Sequence, residues 1–488
     1  MNKFSALACL FLVLFFTRLS AQQTFSLQEI IDRARSQSPA AKQVETQKEN
    51  RYWQYRYYKT EYNPQLRLSG SIPTYYKTVN PILQPDGTIL YRALEQTNNS
   101  LQLGLVQPIA ITGGELSVNS NLNYFKDFRN ENFVGEQWSG TVMNIRFTQP
   151  VMSFNRLRWQ RKTEPLLYEE SKREYVEQNE EIAKEAVDRF FNVIANQIAM
   201  QTAEFNLANN DTIYKIEQGR YNIGTTSKDK LLQVELQLLR SRQDVAQAKL
   251  NLQTALLMLR SYVGIQSAEQ LELQLPELIP QFEVNVDDAL VYAKQNRSDY
   301  IAFQRRRIEA DRGVAQAKGE RFRGTNLTAA YGLNNNGLAL DDIYVDPLEQ
   351  QMVNLTLSVP ILDWGRNRSY TRTAMANKKL NDYIIAQDEV TFEQDIYTKV
   401  GQFEMLRLQI DITRKADEVA QERYNVAQNR YLIGKIDITN LNIALNEKDE
   451  AKRSYIDALK SFWVAYYELR RITLYDFANR QLLYVPEK

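Results

Sequence analysis

Two stretches of the chain repeat one another at a constant spacing, and that repetition restricts the fold more than any other feature. The first runs from Gln149-Pro150-Val151 to Arg220-Tyr221-Asn222-Ile223-Gly224, the second from Val359-Pro360-Ile361 to Arg430-Tyr431-Leu432-Ile433-Gly434. Pro150 to Pro360, Tyr221 to Tyr431 and Gly224 to Gly434 all give an offset of 210. A loop tolerates insertions, whereas a rigid element with a task at each end does not. The chain therefore reads as a tandem duplication built around one very long helix.

The N-terminus carries Lys3, an apolar run from Ala6 to Phe16 and a small-residue exit at Ser20-Ala21. This is the pattern of a secretory signal peptide cut after Ala21, too short to span a bilayer. Its apolar run lies mostly beyond Cys9, the sequence's single cysteine, which argues against lipidation there. Loss of Lys3 and Arg18 takes the net charge from +1 to −1, which gives no electrostatic case for nucleic acid. No later segment is long and apolar enough for a transmembrane helix, which leaves a soluble protein or a β-barrel.

Proline is absent between Pro165 and Pro276 and again between Pro360 and Pro486, and helix formers dominate both intervals. The first predicts a helix from about Arg156 to Arg220, on the order of 100 Å long, with Pro165 kinking or delaying its first turns. Asn222-Ile223-Gly224 turns the chain, and a return helix follows from about Ser227 to Tyr262. Along it Leu231, Leu238, Val245 and Leu252 recur at seven residues, as do Val234, Ser241, Ala248 and Ala255. In the second copy the latter stripe becomes Ala444, Ala451, Ala458 and Ala465. Small residues held over four heptads let helix axes approach, so these are coiled-coil seams.

Period-two patterning marks strands. Leu116, Val118, Leu122 and Tyr124 alternate with polar neighbours, as do Met143, Ile145 and Phe147, and Val353, Leu355, Leu357 and Val359. Weaker signals lie at 66–72, 101–105 and 327–333. With a signal peptide and polar connections, these read as outer-membrane barrel strands. Ala34 to Pro39 matches Ala293 to Ser298 at an offset of 259, so the first copy holds 49 extra residues. They fit one hairpin near 100–109 and 115–126, turned at Thr112-Gly113-Gly114. The expected count is four strands in the first copy and two in the second.

The signal peptide, the duplicated strand-to-helix joint, the duplicated Arg-Tyr-x-x-Gly turn and Leu362-Asp363-Trp364-Gly365-Arg366 together resemble the TolC-like outer-membrane efflux proteins. The resemblance covers about Phe25 to Ile472. It implies an α+β membrane protein: a homotrimer whose strands close one outer-membrane β-barrel, continued by a long α-helical coiled-coil periplasmic tunnel. The implied function is the outer-membrane channel of a tripartite efflux or type I secretion system, a passive duct. Its partners would be a periplasmic adaptor (membrane fusion protein), an inner-membrane transporter and outer-membrane lipid. The rival reading is a periplasmic adaptor or coiled-coil scaffold, which the barrel-period strands oppose.

On this reading residues 1–21 are the signal peptide, 22–262 the first repeat, 263–285 a linker or equatorial segment, 286–473 the second repeat and 474–488 a tail. The chain departs from the family pattern in two places. Members usually give four strands each, whereas six here imply eighteen, or else an extra hairpin folded as a loop or plug. The first joint, Met152-Ser153-Phe154-Asn155, also lacks the family's Gly-Gly.

The resemblance places Arg220, Tyr221, Gly224, Arg430, Tyr431 and Gly434 at an adaptor-docking tip, where arginine also suits a helix C-terminus. Asp411, Asp417 and Glu418 are candidates for a carboxylate ring that gates a threefold tunnel. Pro150, Phe154, Pro360, Trp364 and Gly365 form the barrel–helix joint, with Phe154, Trp159 and Trp364 either an aromatic belt or core.

The sequence has no histidine, and no nucleophile–base pair stands out. The acid pairs Glu180-Glu181 and Asp341-Asp342 read as solvated faces, and Gly113-Gly114 as a turn rather than a phosphate loop. The chain is thus expected to be no enzyme and to need no metal or cofactor.

Overall fold

The first duplicated stretch begins at the end of a strand, the second just past one that stops at Thr356, short of the expected Leu357 and Val359. Each runs on into a 67-residue helix. The computed structural model describes residues 23–129, 135–265, 271–276 and 278–485. The signal-peptide segment lies outside the described residues.

In chain order the first copy gives β1 (Gln23–Phe25), α1 (Leu27–Gln37) and α2 (Pro39–Thr60). Five strands follow: β2 (Gln65–Ser71), β3 (Tyr75–Leu83), β4 (Ile89–Ile109), β5 (Gly114–Asp127) and β6 (Glu136–Pro150). Then come α3 (Arg156–Asn222), α4 (Lys228–Val263) and β7 (Leu271–Leu273). The second copy gives α5 (Val286–Asn296), α6 (Ser298–Gly319), β8 (Asn326–Gly337), β9 (Leu348–Thr356), α7 (Arg366–Leu432) and α8 (Ile438–Thr473). The pair β10 (Tyr475–Asp476) and β11 (Gln481–Leu482) closes the chain. Pro165 lies within α3, so it does not delay the start: the helix runs through it and forgoes one backbone bond.

The chain divides into two compact units. One comprises residues up to Glu49, Ser171–Tyr300 and from Glu389 onward. Its core is built from α1, α3, α4, α7 and α8 around Phe190, Phe191, Leu259, Phe403 and Phe462, all fully buried. The small-residue stripes lie inward: Val234, Ser241 and Ala255 are buried on α4, and Ala444 and Ala458 on α8. That burial is what a close helix approach requires.

This unit also holds a buried charge network. Glu180 pairs with Arg35 at 2.5 Å and Arg470 at 2.8 Å, and Arg470 in turn pairs with Asp476. The expectation that Glu180 is solvated is therefore corrected: its partners come from α1 and α8, and its side chain is 5% exposed. Glu181 does remain at the surface, paired with Lys184 at 2.6 Å.

The second unit, Asn50–Glu170 and Ile301–Asp388, carries an antiparallel sheet of order β2-β4-β5-β6-β8-β9. One row of paired residues, Leu66, Leu105, Val118, Ile145 and Tyr331, gives an apolar face. The next row, Arg67, Gly104, Asn119, Asn144 and Gly332, gives a polar one. A bulge at Val142 puts one extra residue into β6, since Asn119 pairs with Asn144 but Asn121 with Thr141. Parity therefore flips: Met143, Ile145 and Phe147 face the apolar side on one flank, Gly140 and Trp138 on the other. Trp138 thereby meets Tyr124 with ring centroids 4.7 Å apart.

The expected hairpin forms, and one further strand revises the expected count. The hairpin β4–β5 is an interior part of the sheet, paired over Gln96–Ile109 and Gly114–Asp127. A fifth strand in the first copy, β3, pairs with the outer half of β4 through Tyr75–Leu83 and Ile89–Thr97. Pro81 and Lys77 break its alternation, and both suit an edge strand with one ladder only.

Candidate functional site

At the first joint β6 ends on Pro150, and Val151 N–H donates to the Thr325 carbonyl at 2.9 Å. Ser153 Oγ donates to the Phe322 carbonyl at 2.9 Å, and Asn155 Nδ2 to the Ala110 carbonyl at 2.9 Å. Asn155 Oδ1 accepts from Arg158 N–H at 3.0 Å and so caps α3. Gly319 allows the close approach, because a Cβ there would lie 2.7 Å from the Phe154 nitrogen. The missing Gly-Gly is replaced by Met152 at φ 57°, a left-handed residue the clamp around it stabilises.

The second joint turns differently. Past Pro360, Trp364 and Gly365 adopt φ 51° and 85°. Asp363 accepts from Gly365 N–H and Asn367 N–H, both at 3.0 Å, and caps α7. Those bonds, Asn367 first, hold its carboxyl below the usual aspartate range. Ile361 and Trp364 project freely, Trp364 at 90% exposure, so Trp364 is not core within one chain. Phe154, beside Gly319, is half-buried.

The two helix tips share one turn. Gly224 and Gly434 sit at φ 79° and 75°, Thr225 N–H reaches the Arg220 carbonyl and Lys435 N–H the Arg430 carbonyl, both at 2.9 Å. Beyond that the tips differ. Tyr221 is 40% exposed, whereas Tyr431 is 3% exposed and donates its hydroxyl to Glu217 at 2.8 Å. Arg220 pairs with the same carboxylate at 2.6 Å, donates to the Leu432 carbonyl at 3.0 Å and lies over the Tyr431 ring.

Burial works to raise the Glu217 pKa, but hydrogen bonds from Tyr431 and Arg220 outweigh it and hold the carboxyl low. Burial pushes the Tyr431 hydroxyl up. Of the six tip residues, Arg430, Tyr221, Gly224 and Gly434 are surface groups. Tyr431 as a docking residue is corrected, because it fills the space between the two hairpins. Glu217 is the tip residue the sequence reading missed. At the repeat offset its counterpart is Ala427, and that mismatch was the available signal.

The three acids proposed as a ring are all partnered. Asp417 reaches Lys452 on α8 at 3.1 Å, Glu418 pairs with Lys415 at 2.9 Å and Asp411 with Arg414 at 3.7 Å. Asp417 is thereby drawn toward the return helix. Glu418 and Asp411 lie on an exposed face. Among the described residues no acidic cluster fit to hold a metal occurs, and no helix is long and apolar enough to cross a membrane.

A family model described as outer membrane efflux protein matches residues 115–265 and 289–473, which take in both strand-to-helix joints and both tips. The chain belongs to the outer membrane efflux protein family. This outer membrane efflux protein is accordingly a channel of tripartite efflux systems, located in the outer membrane with a periplasmic helical portion, and its family is one of channels rather than enzymes. The adaptor reading has no support.

Solved structures share the fold. The CmeC outer membrane channel of Campylobacter jejuni superposes with a TM-score of 0.66 at 16% identity, over 92% of this chain and 85% of that one. VceC of Vibrio cholerae gives 0.64 at 14% identity, over 92% and 95%. The open-state MtrE channel of Neisseria gonorrhoeae gives 0.59 at 16% identity, over 92% and 88%. No curated protein matches the sequence.

Proposed function

We propose that three copies of this outer membrane efflux protein close one β-barrel and one helical tunnel, forming a passive export duct. The observation that carries this reading is the open sheet. Both outer strands, β2 and β9, are exposed along their whole length. A sheet in lipid must have no free edge, so β2 of one copy has to meet β9 of the next. Six strands across per copy, taken three times, make eighteen, a wider barrel than twelve strands give. The interior pairing of β4 and β5 favours that count over a plug.

The helices support the same assembly. Met405, Ile412, Val419 and Val426 recur at seven residues along α7 and are exposed. On α4 Leu232 and Leu239 lie seven apart, as do Leu250 and Leu257 with Leu236 fourteen before Leu250, and all five are exposed. Apolar heptad seams left open in one chain are surfaces for a neighbouring helix. At the tip, Arg430 and Tyr221 are the groups free to meet a periplasmic adaptor, while Arg220 and Tyr431 hold the tip together. Detergent extraction tests the assembly: an outer-membrane particle of three chains supports it, and a soluble periplasmic monomer refutes it.

A further inference from the structure

We propose that residues 75–97 form an arm that clasps the 338–347 loop of the adjacent copy at the outer end of the barrel. This inference rests on the trimeric ring described above. β4 is 21 residues long, about twice what a membrane strand needs. Its outer part, Ile89–Glu95, pairs with β3 alone, leaving a two-stranded ribbon beyond the aromatic level where Tyr124 meets Trp138 and Tyr75 meets Phe128. Such a ribbon is marginal by itself. Its tip is also apolar on both faces: Ile82 lies opposite Leu90, Leu83 opposite Ile89, and all four are exposed. A water-facing ribbon with this tip calls for a cover.

Topology says what the cover is. β2 and β3 both lie on the same side of β4, the side whose edge closes the ring. At the opposite edge, β8 runs outward to Gly337 and β9 returns from Leu348, so the 338–347 loop stands at the same outer end. When β2 of one copy meets β9 of the next, the arm is brought beside that loop. The loop is a built platform. Ile343 is buried, Asn335 Nδ2 donates to the Asp342 and Val345 carbonyls at 2.7 Å, and Gly140 leaves room for Ile343 beneath.

The two surfaces complement each other. The loop presents exposed Leu340, Tyr344 and Val345 with Asp341 and Asp346, and the arm presents its apolar tip with exposed Arg92. Pro81 and Lys77 keep the free edge of β3 from pairing as a strand, so the contact is one of side chains.

The test is cross-linking in intact outer membranes, where the sequence's single cysteine, Cys9, lies in the expected signal peptide. Tyr91→Cys with Tyr344→Cys, treated with a short bis-maleimide, is expected to yield dimer and trimer bands that neither single variant yields. A control pair, Leu68→Cys on β2 with Leu355→Cys on β9, reports ring closure separately. A laddering control with a silent Tyr91/Tyr344 pair overturns the clasp and leaves the ring standing. A silent control overturns the ring and the clasp with it. Laddering of Tyr91→Cys alone would show arms meeting one another and also overturns the clasp.

Discussion

The Tyr431 hydroxyl donates to Glu217 Oε1 at 2.8 Å and ties the second helical hairpin to the first at their tips. Glu217 is buried, with Arg220 as its cation. Truncation of Tyr431 to Phe removes one charge-assisted hydrogen bond, worth about 1.5–3 kcal/mol. The expected outcome is faster amide exchange over residues 213–224 and 424–438 with the core around Phe190 unchanged. Unaltered exchange at the tip would show that the bond holds nothing.

The same clasp has a pH dependence of defined sign. The Glu217 carboxyl titrates below its ordinary 4.5 when folded, so its contribution is full above that value. It is lost as pH falls through the depressed folded value. Tip protection is expected to be level through the neutral range and to collapse only in acid, and Glu217→Gln should remove that acid step.

Arg430 and Arg220 should separate by phenotype, although both occupy the same place in the repeat. Arg430→Glu or Tyr221→Ala is expected to abolish co-purification with the periplasmic adaptor and leave tip exchange intact. Arg220→Ala should loosen the tip. If Arg430→Glu and Arg220→Ala behave alike, the assigned difference between the tips is wrong.

Arg470 stands between Glu180 and Asp476 with its side chain 11% exposed. Arg470→Met leaves two buried carboxylates short of a cation and should cost about 3–5 kcal/mol. Pairing it with Glu180→Leu should restore part of the loss in a melting experiment. Additive losses would mean that the two groups act independently.

Gly319→Ala places a methyl 2.7 Å from the Phe154 backbone nitrogen and should cost about 1–3 kcal/mol, read as reduced trimer yield. Gly313→Ala, in the same helix with open space around it, should be neutral or stabilising by about 0.5–1 kcal/mol.

What could be read from the sequence was what repeats locally. The fixed offset placed both 67-residue helices, and the Gly224 and Gly434 turns carry the positive φ that glycine favours. What was hidden depends on distant partners or broken periods. Strand β3 escaped notice because Pro81 and Lys77 interrupt alternation. Trp138 fell out of phase because the Val142 bulge reverses parity along β6. Glu180 looked like a surface acid because Arg35 and Arg470 lie 145 and 290 residues away. The unequal tips turn on one unmatched pair, Glu217 and Ala427.

Imaging of the detergent-extracted particle tests the central claim most directly. The account predicts a threefold ring of eighteen strands, six per chain, in which β2 of each copy pairs with β9 of the next. A twelve-strand ring with β4 and β5 folded away from the wall, or a particle without threefold symmetry, would contradict it.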